Sequence, residues 1–180
     1  PAAGEDNEFR KEQRVAIIGA GPAGLAAAYD LAREGYGVVV FDSLPVAGGM
    51  LAAGIPAFRL PREIVNRETE EVRKAGVELR LGTTIGKDVA FDDLLRGELG
   101  AVFVATGAYK EQALDVPGEE LRGVFSALSF LKMVNIDGKK PSLGKRVVVV
   151  GGGDSALDAA RTAVRLGAEE TYIVYRRTAS

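Results

Sequence analysis

Cysteine, histidine and tryptophan are all absent from the 180 residues. Without cysteine the chain itself forms no disulfide, thiolate metal site, iron–sulfur ligand set or redox C-x-x-C pair. Without histidine it has no imidazole for acid–base catalysis or metal ligation. An excess of one charge is lacking too. There are 23 Lys and Arg against 25 Asp and Glu, a net charge of −2, which makes no electrostatic case for nucleic acid or for an anionic membrane. No apolar run approaches a membrane span. The first 13 residues are polar and charged, with no signal-like apolar segment, so a cytoplasmic location is the default expectation. What is present is a chain 47% hydrophobic and 27% charged, enough for a sizeable core in one or two small domains.

The most informative stretch is Arg14-Val15-Ala16-Ile17-Ile18-Gly19-Ala20-Gly21-Pro22-Ala23-Gly24. An apolar run ends in glycines at the spacing G-x-G-x-x-G. An alanine-rich helical pattern follows, closed by Gly35. A second apolar run, Val38 to Phe41, ends in Asp42, 18 residues after Gly24. Strand, glycine turn, helix, strand and acid together make the dinucleotide-binding fingerprint. Gly19 is expected to make the tight turn, Gly21 to admit a pyrophosphate and Gly24 to let helix and strand pack closely. The helix N-terminus would face the phosphates and Asp42 a ribose hydroxyl. The competing reading is a glycine turn that only joins a strand to a helix.

Further along, Ser43 to Leu60 reads as a long loop rich in Gly and Pro, too apolar to lie free in solvent. A helix should begin near Pro61, with Ile64, Val65, Val72 and Ala75 on one face, and end at Gly76. Val77 to Leu81 reads as a strand, Asp92 to Arg96 as a helical turn, and Gly100 to Ala105 as a buried strand running into Thr106-Gly107. Pro117-Gly118 marks a turn, and Ser126 is expected to cap a helix to about Asn135. The polar stretch Asp137 to Gly144 reads as a domain boundary.

The opening pattern then returns. Val147 to Val150 leads into Gly151-Gly152-Gly153-Asp154-Ser155-Ala156, a helix follows to about Leu166, and Thr171 to Tyr175 is the next strand. In both copies 16 residues separate the first fingerprint glycine from the helix-ending glycine, Gly19 to Gly35 and Gly151 to Gly167. Such a repeat implies two nucleotides, usually a flavin beside a nicotinamide. Ala156 replaces the third glycine, a tolerated variant. The second copy ends in Arg176-Arg177 where the first ends in Asp42. A carboxylate favours a ribose hydroxyl and guanidinium groups favour a 2′-phosphate, so the second turn is expected to take NADPH rather than NADH. Plainer readings stand beside these: Arg176 and Arg177 as a solvated strand end, Asp154 and Ser155 as helix caps. The second copy holds one βαβ unit where a mononucleotide-binding half has more, so the chain is expected to be a fragment of a longer polypeptide.

Three segments together resemble the family of the NADPH-dependent glutamate synthase small subunit. They are Gly48-Gly49-Met50-Leu51 with Gly54-Ile55-Pro56-Ala57-Phe58-Arg59-Leu60-Pro61, then Val104-Ala105-Thr106-Gly107, and Gly151 to Asp158 with Tyr175-Arg176-Arg177. That family includes the flavin/NADPH half of dihydropyrimidine dehydrogenase and the large subunit of NADH-dependent ferredoxin:NADP oxidoreductase. The resemblance covers Arg14 to Arg177 and implies an α/β fold. A Rossmann-like FAD-binding domain, incomplete here, would be followed by the first βαβ unit of a second, NAD(P)-binding Rossmann-like domain. The expected layout is a tail at 1–12, the FAD domain at 13–112, a connector at 113–143 and the start of the NADPH domain at 144–180.

By position, the resemblance puts Gly19, Ala20, Gly21, Pro22, Ala23 and Gly24 on the FAD pyrophosphate and Asp42 at the adenosine ribose, with Ser43 a further cofactor-binding residue. Gly49, Met50 and Leu51 would line the pyrophosphate and flavin side, and Arg59 would reach toward a phosphate. Ile85 would lie by the adenine, and Ala105, Thr106 and Gly107 would close over the cofactor. Gly152, Gly153, Asp154 and Ser155 would meet the NADPH pyrophosphate, and Arg176 and Arg177 its 2′-phosphate. Electrons would leave through [4Fe–4S] clusters outside this chain, to the glutamate synthase large subunit or another electron-accepting subunit. Flavin and nicotinamide carry such chemistry, so no catalytic side chain and no metal ligand is assigned. An active disulfide reductase is disfavoured by the missing cysteine pair. A non-catalytic nucleotide-binding or assembly module is the reading from another class.

Overall fold

The computed structural model of the chain describes residues 13–97 and 99–176. Their elements run β1 (Arg14–Ile18), α1 (Pro22–Arg33), β2 (Gly37–Asp42), α2 (Met50–Ala53), α3 (Arg62–Lys74), β3 (Glu78–Leu81), α4 (Phe91–Arg96), β4 (Leu99–Val104), α5 (Ala127–Asn135), β5 (Arg146–Val150), α6 (Asp154–Arg165) and β6 (Glu170–Val174). They form two compact units. One takes residues 13–51 together with the described residues of Arg62–Gly107; the other takes Ala52–Pro61 and the described residues from Ala108 onward.

The first unit is built on four parallel strands in the order β3-β2-β1-β4. The register pairs Ile18 with Phe41 on one side and with Val104 on the other, so β1, β2 and β4 finish level. Residues of β1 and β2 are apolar at nearly every position, as strands covered on both faces must be. Val15, Ile17, Val38 and Val40 face Ala28 of α1 and Val72 of α3. Ala16, Val39 and Phe41 point the other way, onto Leu94 of α4. Ile17 and Val40 are fully buried, and each such side chain contributes about 1.5–3 kcal/mol.

The helix ends follow local chemistry. Pro22 opens α1 where a missing N–H costs nothing. At its other end Gly35 donates to Ala32 and Tyr36 to Leu31, a Schellman closure. In α3 the buried positions are Val65, Thr69 and Val72. Ile64, expected on that face, is 40% exposed, because it lies a hundred degrees of helix rotation from Val65. Thr69 takes the inward place instead and donates its hydroxyl to the Val65 carbonyl at 2.9 Å, which satisfies it.

Two further expectations are corrected. The stretch from Ser43 to Leu60 is not wholly loop: α2 forms within it, where Met50, Leu51, Ala52 and Ala53 are all good helix formers. Strand β4 is not buried throughout. Phe103 and Val104 are 43% and 57% exposed, because among the described residues β4 is an edge strand paired only with β1.

In the second unit β5 and β6 pair in parallel, Val148 opposite Tyr172 and Val150 opposite Val174, with α6 as the crossover. Phe130 and Leu131 of α5 pack on Ala159 and Ala163 of α6. Val148, Val150, Tyr172 and Val174 are exposed. Ser126 stands at the N-cap of α5 but does not cap it with its own side chain. Its hydroxyl donates to Glu111. The Glu111 carboxylate also accepts the backbone N–H of Leu128 at 2.8 Å and of Ser129 at 3.2 Å, and the Ser129 hydroxyl at 3.0 Å. A carboxylate from upstream therefore caps the helix, favourably placed at its positive end.

Candidate functional site

The first glycine turn lies at the C-terminal ends of β1, β2 and β4, where open α/β sheets bind their ligands. Gly19 has φ +113° and donates to the Phe41 carbonyl at 2.7 Å. A Cβ there would stand 2.3 Å from the Ala105 carbonyl oxygen, so the turn and the end of β4 require glycine. A Cβ on Gly24 would come within 1.9 Å of the Gly19 carbonyl oxygen. Gly49, at φ +54°, lies against Gly21: a Cβ on Gly49 would meet the Gly21 Cα at 2.7 Å. Gly48 donates to the Ala20 carbonyl at 2.8 Å. The Gly48-Gly49 pair thus packs its backbone directly on the turn.

Asp42, half-buried at the end of β2, accepts the Ala20 N–H at 2.7 Å on one oxygen and the Leu44 N–H at 2.8 Å on the other. A carboxylate has about four acceptor positions, so each oxygen keeps capacity for a ligand hydroxyl. The N-cap of α1 is Gly21, and no side chain caps it, the arrangement in which a helix start keeps its first N–H groups for a ligand. Ala105 joins the turn by donating to Ile18 at 2.8 Å. Thr106, Gly107 and Ser43 are exposed beside it, and Met50 and Leu51, half-buried, open α2. Ile85 packs against the cluster of Ala16, Val39, Phe41 and Leu94.

The second turn repeats two backbone bonds of the first. Gly151, at φ +131°, donates to Val174 at 2.8 Å, as Gly19 does to Phe41. Leu157 donates to Gly153 at 3.1 Å, as Leu25 does to Gly21 at 2.9 Å. This register equates Gly153 with Gly21 and Ala156 with Gly24. It also equates Tyr175 with Asp42, a correction to the reading that put the arginine pair there: Arg176 is one residue further along. Tyr175 lies over Gly152, and a Cβ on Gly152 would come 2.7 Å from its ring. A Cβ on Gly153, by contrast, would meet nothing within 4 Å. Packing within the chain does not demand glycine at 153; an approaching pyrophosphate would. Gly153 is also the N-cap of α6, with no side-chain cap. The residues of both turns therefore fit a dinucleotide.

Asp154, Ser155 and Arg176 are exposed around the second turn; Arg177 lies outside the described residues. Arg59 belongs to this unit. Its Nη1 donates to Oδ2 of buried Asp158 at 2.8 Å and lies 3.8 Å from Asp154. Sequence reasoning passed over Tyr175 and Asp158 as site residues, although both stood inside quoted motifs. Among the described residues no group of acidic side chains could hold a metal ion, and no helix is long and apolar enough to cross a membrane.

Comparison with known proteins agrees with this geometry. The chain is 51% identical over 169 residues to the NADP(+)-dependent formate dehydrogenase subunit beta of Moorella thermoacetica, covering 92% of this chain and 24% of that one. It is 46% identical over 175 residues to the glutamate synthase [NADPH] small chain of Escherichia coli, covering 92% and 37%. The structure of Mycobacterium tuberculosis FprA in complex with NADPH superimposes with a TM-score of 0.74 at 27% identity, over 84% of this chain and 36% of that one. The chain spans between about a quarter and two fifths of the length of these relatives. The profile of the pyridine nucleotide-disulphide oxidoreductases matches residues 13–179, both turns included. The match spans both glycine turns and both parallel βαβ units, and the chain belongs to the pyridine nucleotide-disulphide oxidoreductase family.

Proposed function

We propose that the chain is the nucleotide-binding part of an NADPH-dependent flavoprotein oxidoreductase of the glutamate synthase small-subunit type, with FAD on the first turn and NADPH on the second. The observation that carries this reading is the repeated bond pair, Gly19 to Phe41 and Gly151 to Val174, which sets two equivalent turns on two strand ends. Bound together, the two cofactors would supply hydride transfer from nicotinamide to flavin. The chain's own work is to bind and orient. Gly19 to Gly24, Gly49 and the end of α1 would receive one pyrophosphate, and Asp42 a ribose. Met50, Leu51, Ile85 and Ala105 to Gly107 would line the same cofactor. Gly152 to Ser155 would receive the second pyrophosphate, and Arg176 with Arg177 a 2′-phosphate. Electrons would pass on to iron–sulfur clusters of a partner, the glutamate synthase large subunit or another acceptor. A similar stretch occurs in a formate dehydrogenase subunit and in a glutamate synthase subunit, which supports a reading in which the partner sets the acceptor. A cytoplasmic setting goes with this reading.

The test begins with the visible spectrum of the protein after FAD is added and the excess removed. Flavin bands at about one flavin per chain support the first turn. Replacing Arg176 and Arg177 together by Ala should then weaken NADPH by about 1.5–3 kcal/mol, the worth of a charged hydrogen bond, and leave NADH nearly unchanged. Equal losses for both coenzymes would reject the NADPH assignment.

A further inference from the structure

The end of β6 is tied to the second glycine turn at two successive positions. Gly151 donates its N–H to the Val174 carbonyl at 2.8 Å. The next pair, Gly152 and Tyr175, meets through the aromatic ring. A Cβ on Gly152 would stand 2.7 Å from the ring's Cγ and Cδ2 and 2.9 Å from its Cδ1. Gly152 is not among the glycines with positive φ, so it is the ring, and not the backbone conformation, that calls for glycine there.

The first turn fills the same two places differently. Ala20 carries a side chain, and its N–H goes to the Asp42 carboxylate at 2.7 Å. The two places therefore differ together: alanine with an acid in one turn, glycine with a seated ring in the other. The exchange takes a negative charge off the strand end and puts an uncharged, rigid body in its place. Such a body matters most at a weakly held strand. Among the described residues β6 pairs only with β5, and Ile173, Val174 and Tyr175 are all exposed. A strand end of this kind opens easily unless something pins it. Arg176, also exposed, is the next residue in the chain.

We propose that Tyr175 is a positioning residue for dinucleotide selection at the second turn: seated on Gly152, its ring pins the end of β6 and so holds Arg176 ready for a 2′-phosphate. The proposal rests on the reading of that turn as the NADPH site. Holding the strand end before the ligand arrives lowers the ordering cost of binding. The ring also keeps a carboxylate out of a place where its charge would repel a phosphate. Both effects act on the 2′-phosphate, which NADPH has and NADH lacks, so Tyr175 bears on the choice between the two coenzymes more than on the binding common to both.

The experiment measures equilibrium dissociation constants for NADPH and NADH on the FAD-loaded protein. Adenosine 2′,5′-bisphosphate and adenosine 5′-monophosphate, which differ only in the 2′-phosphate, serve as competing probes. Tyr175→Ala should raise the NADPH constant about fivefold or more and the NADH constant less than about twofold, with the same split between the two probes. Tyr175→Phe keeps the ring and should restore the wild-type ratio. Tyr175→Asp should lower the preference for NADPH furthest, because it adds the charge as well as removing the ring. A Tyr175→Ala protein that keeps the wild-type ratio, or that loses both coenzymes equally, would overturn the proposal. Arg176→Ala separates this from the underlying reading. If it removes the preference for NADPH while Tyr175→Ala does not, the NADPH site stands and the role of Tyr175 falls. If the wild-type protein shows no preference for NADPH, the reading of the second turn falls, and this proposal with it.

Discussion

The ring of Tyr175 lies on Gly152 where, in the first turn, the carboxylate of Asp42 holds the N–H of Ala20. Two copies of one backbone motif thus close their second-strand contact by different means, one polar and one aromatic. Gly152→Ala should push the ring aside. Because Tyr175 is an exposed side chain at a strand end, the cost should stay within about 1 kcal/mol. It should disappear when Tyr175→Ala is added. Chemical denaturation of the two single variants and the double variant checks this, and an equal penalty with and without the tyrosine would contradict the contact.

Gly24→Ala should behave very differently. Its Cβ would sit 1.9 Å from a backbone oxygen, that of Gly19, and 3.3 Å from the Ile17 side chain. Neither helix nor strand can yield without disturbing the sheet, so the loss should exceed about 3 kcal/mol. The equivalent Ala156→Gly should cost only about 1 kcal/mol, from helix propensity. Urea denaturation midpoints compare the two.

Asp42→Ala leaves the N–H groups of Ala20 and Leu44 without their acceptor. A destabilisation of about 1–3 kcal/mol is expected, together with loss of FAD retention. Asp42→Asn keeps one acceptor oxygen and should fall between. A stable Asp42→Ala protein that retains FAD would show that the carboxylate serves neither role.

Glu111 offers a pH-dependent case. Burial opposes ionisation of its carboxyl, but the bonds from the Ser126 and Ser129 hydroxyls and from the Ser129 and Leu128 N–H groups outweigh it and hold the group below its ordinary value. A carboxyl depressed on folding stabilises the protein above its unfolded-state pKa, and that contribution is lost as pH falls through the folded value. Thermal melts of wild type and Glu111→Gln should therefore differ near neutral pH and converge in acid. Parallel curves at all pH values would remove Glu111 from the cap.

Much of the fold was legible from short-range pattern. The apolar runs of β1, β2 and β5, the Pro22 start and Gly35 stop of α1, and the second turn at Gly151 all follow from choices made within a few residues. Glycine spacing sets backbone conformation locally, and the repeat made that signal doubly visible. Side-chain readings fared less well where helical rotation or sheet position had to be known: Ile64 proved exposed, Thr69 buried, and β4 open along its edge.

The sequence by itself determined two strand–glycine turn–helix units and the family to which they belong, because backbone geometry at such turns is dictated by residues adjacent in the chain. Only the tertiary structure decided which side chains meet there. Arg59 reaches Asp158 across 99 positions, Ala20 reaches Asp42 across 22, and Glu111 caps a helix 15 or more residues away. Such pairs form only after separate elements have packed, and no local pattern of residues encodes which oxygen a given donor will find.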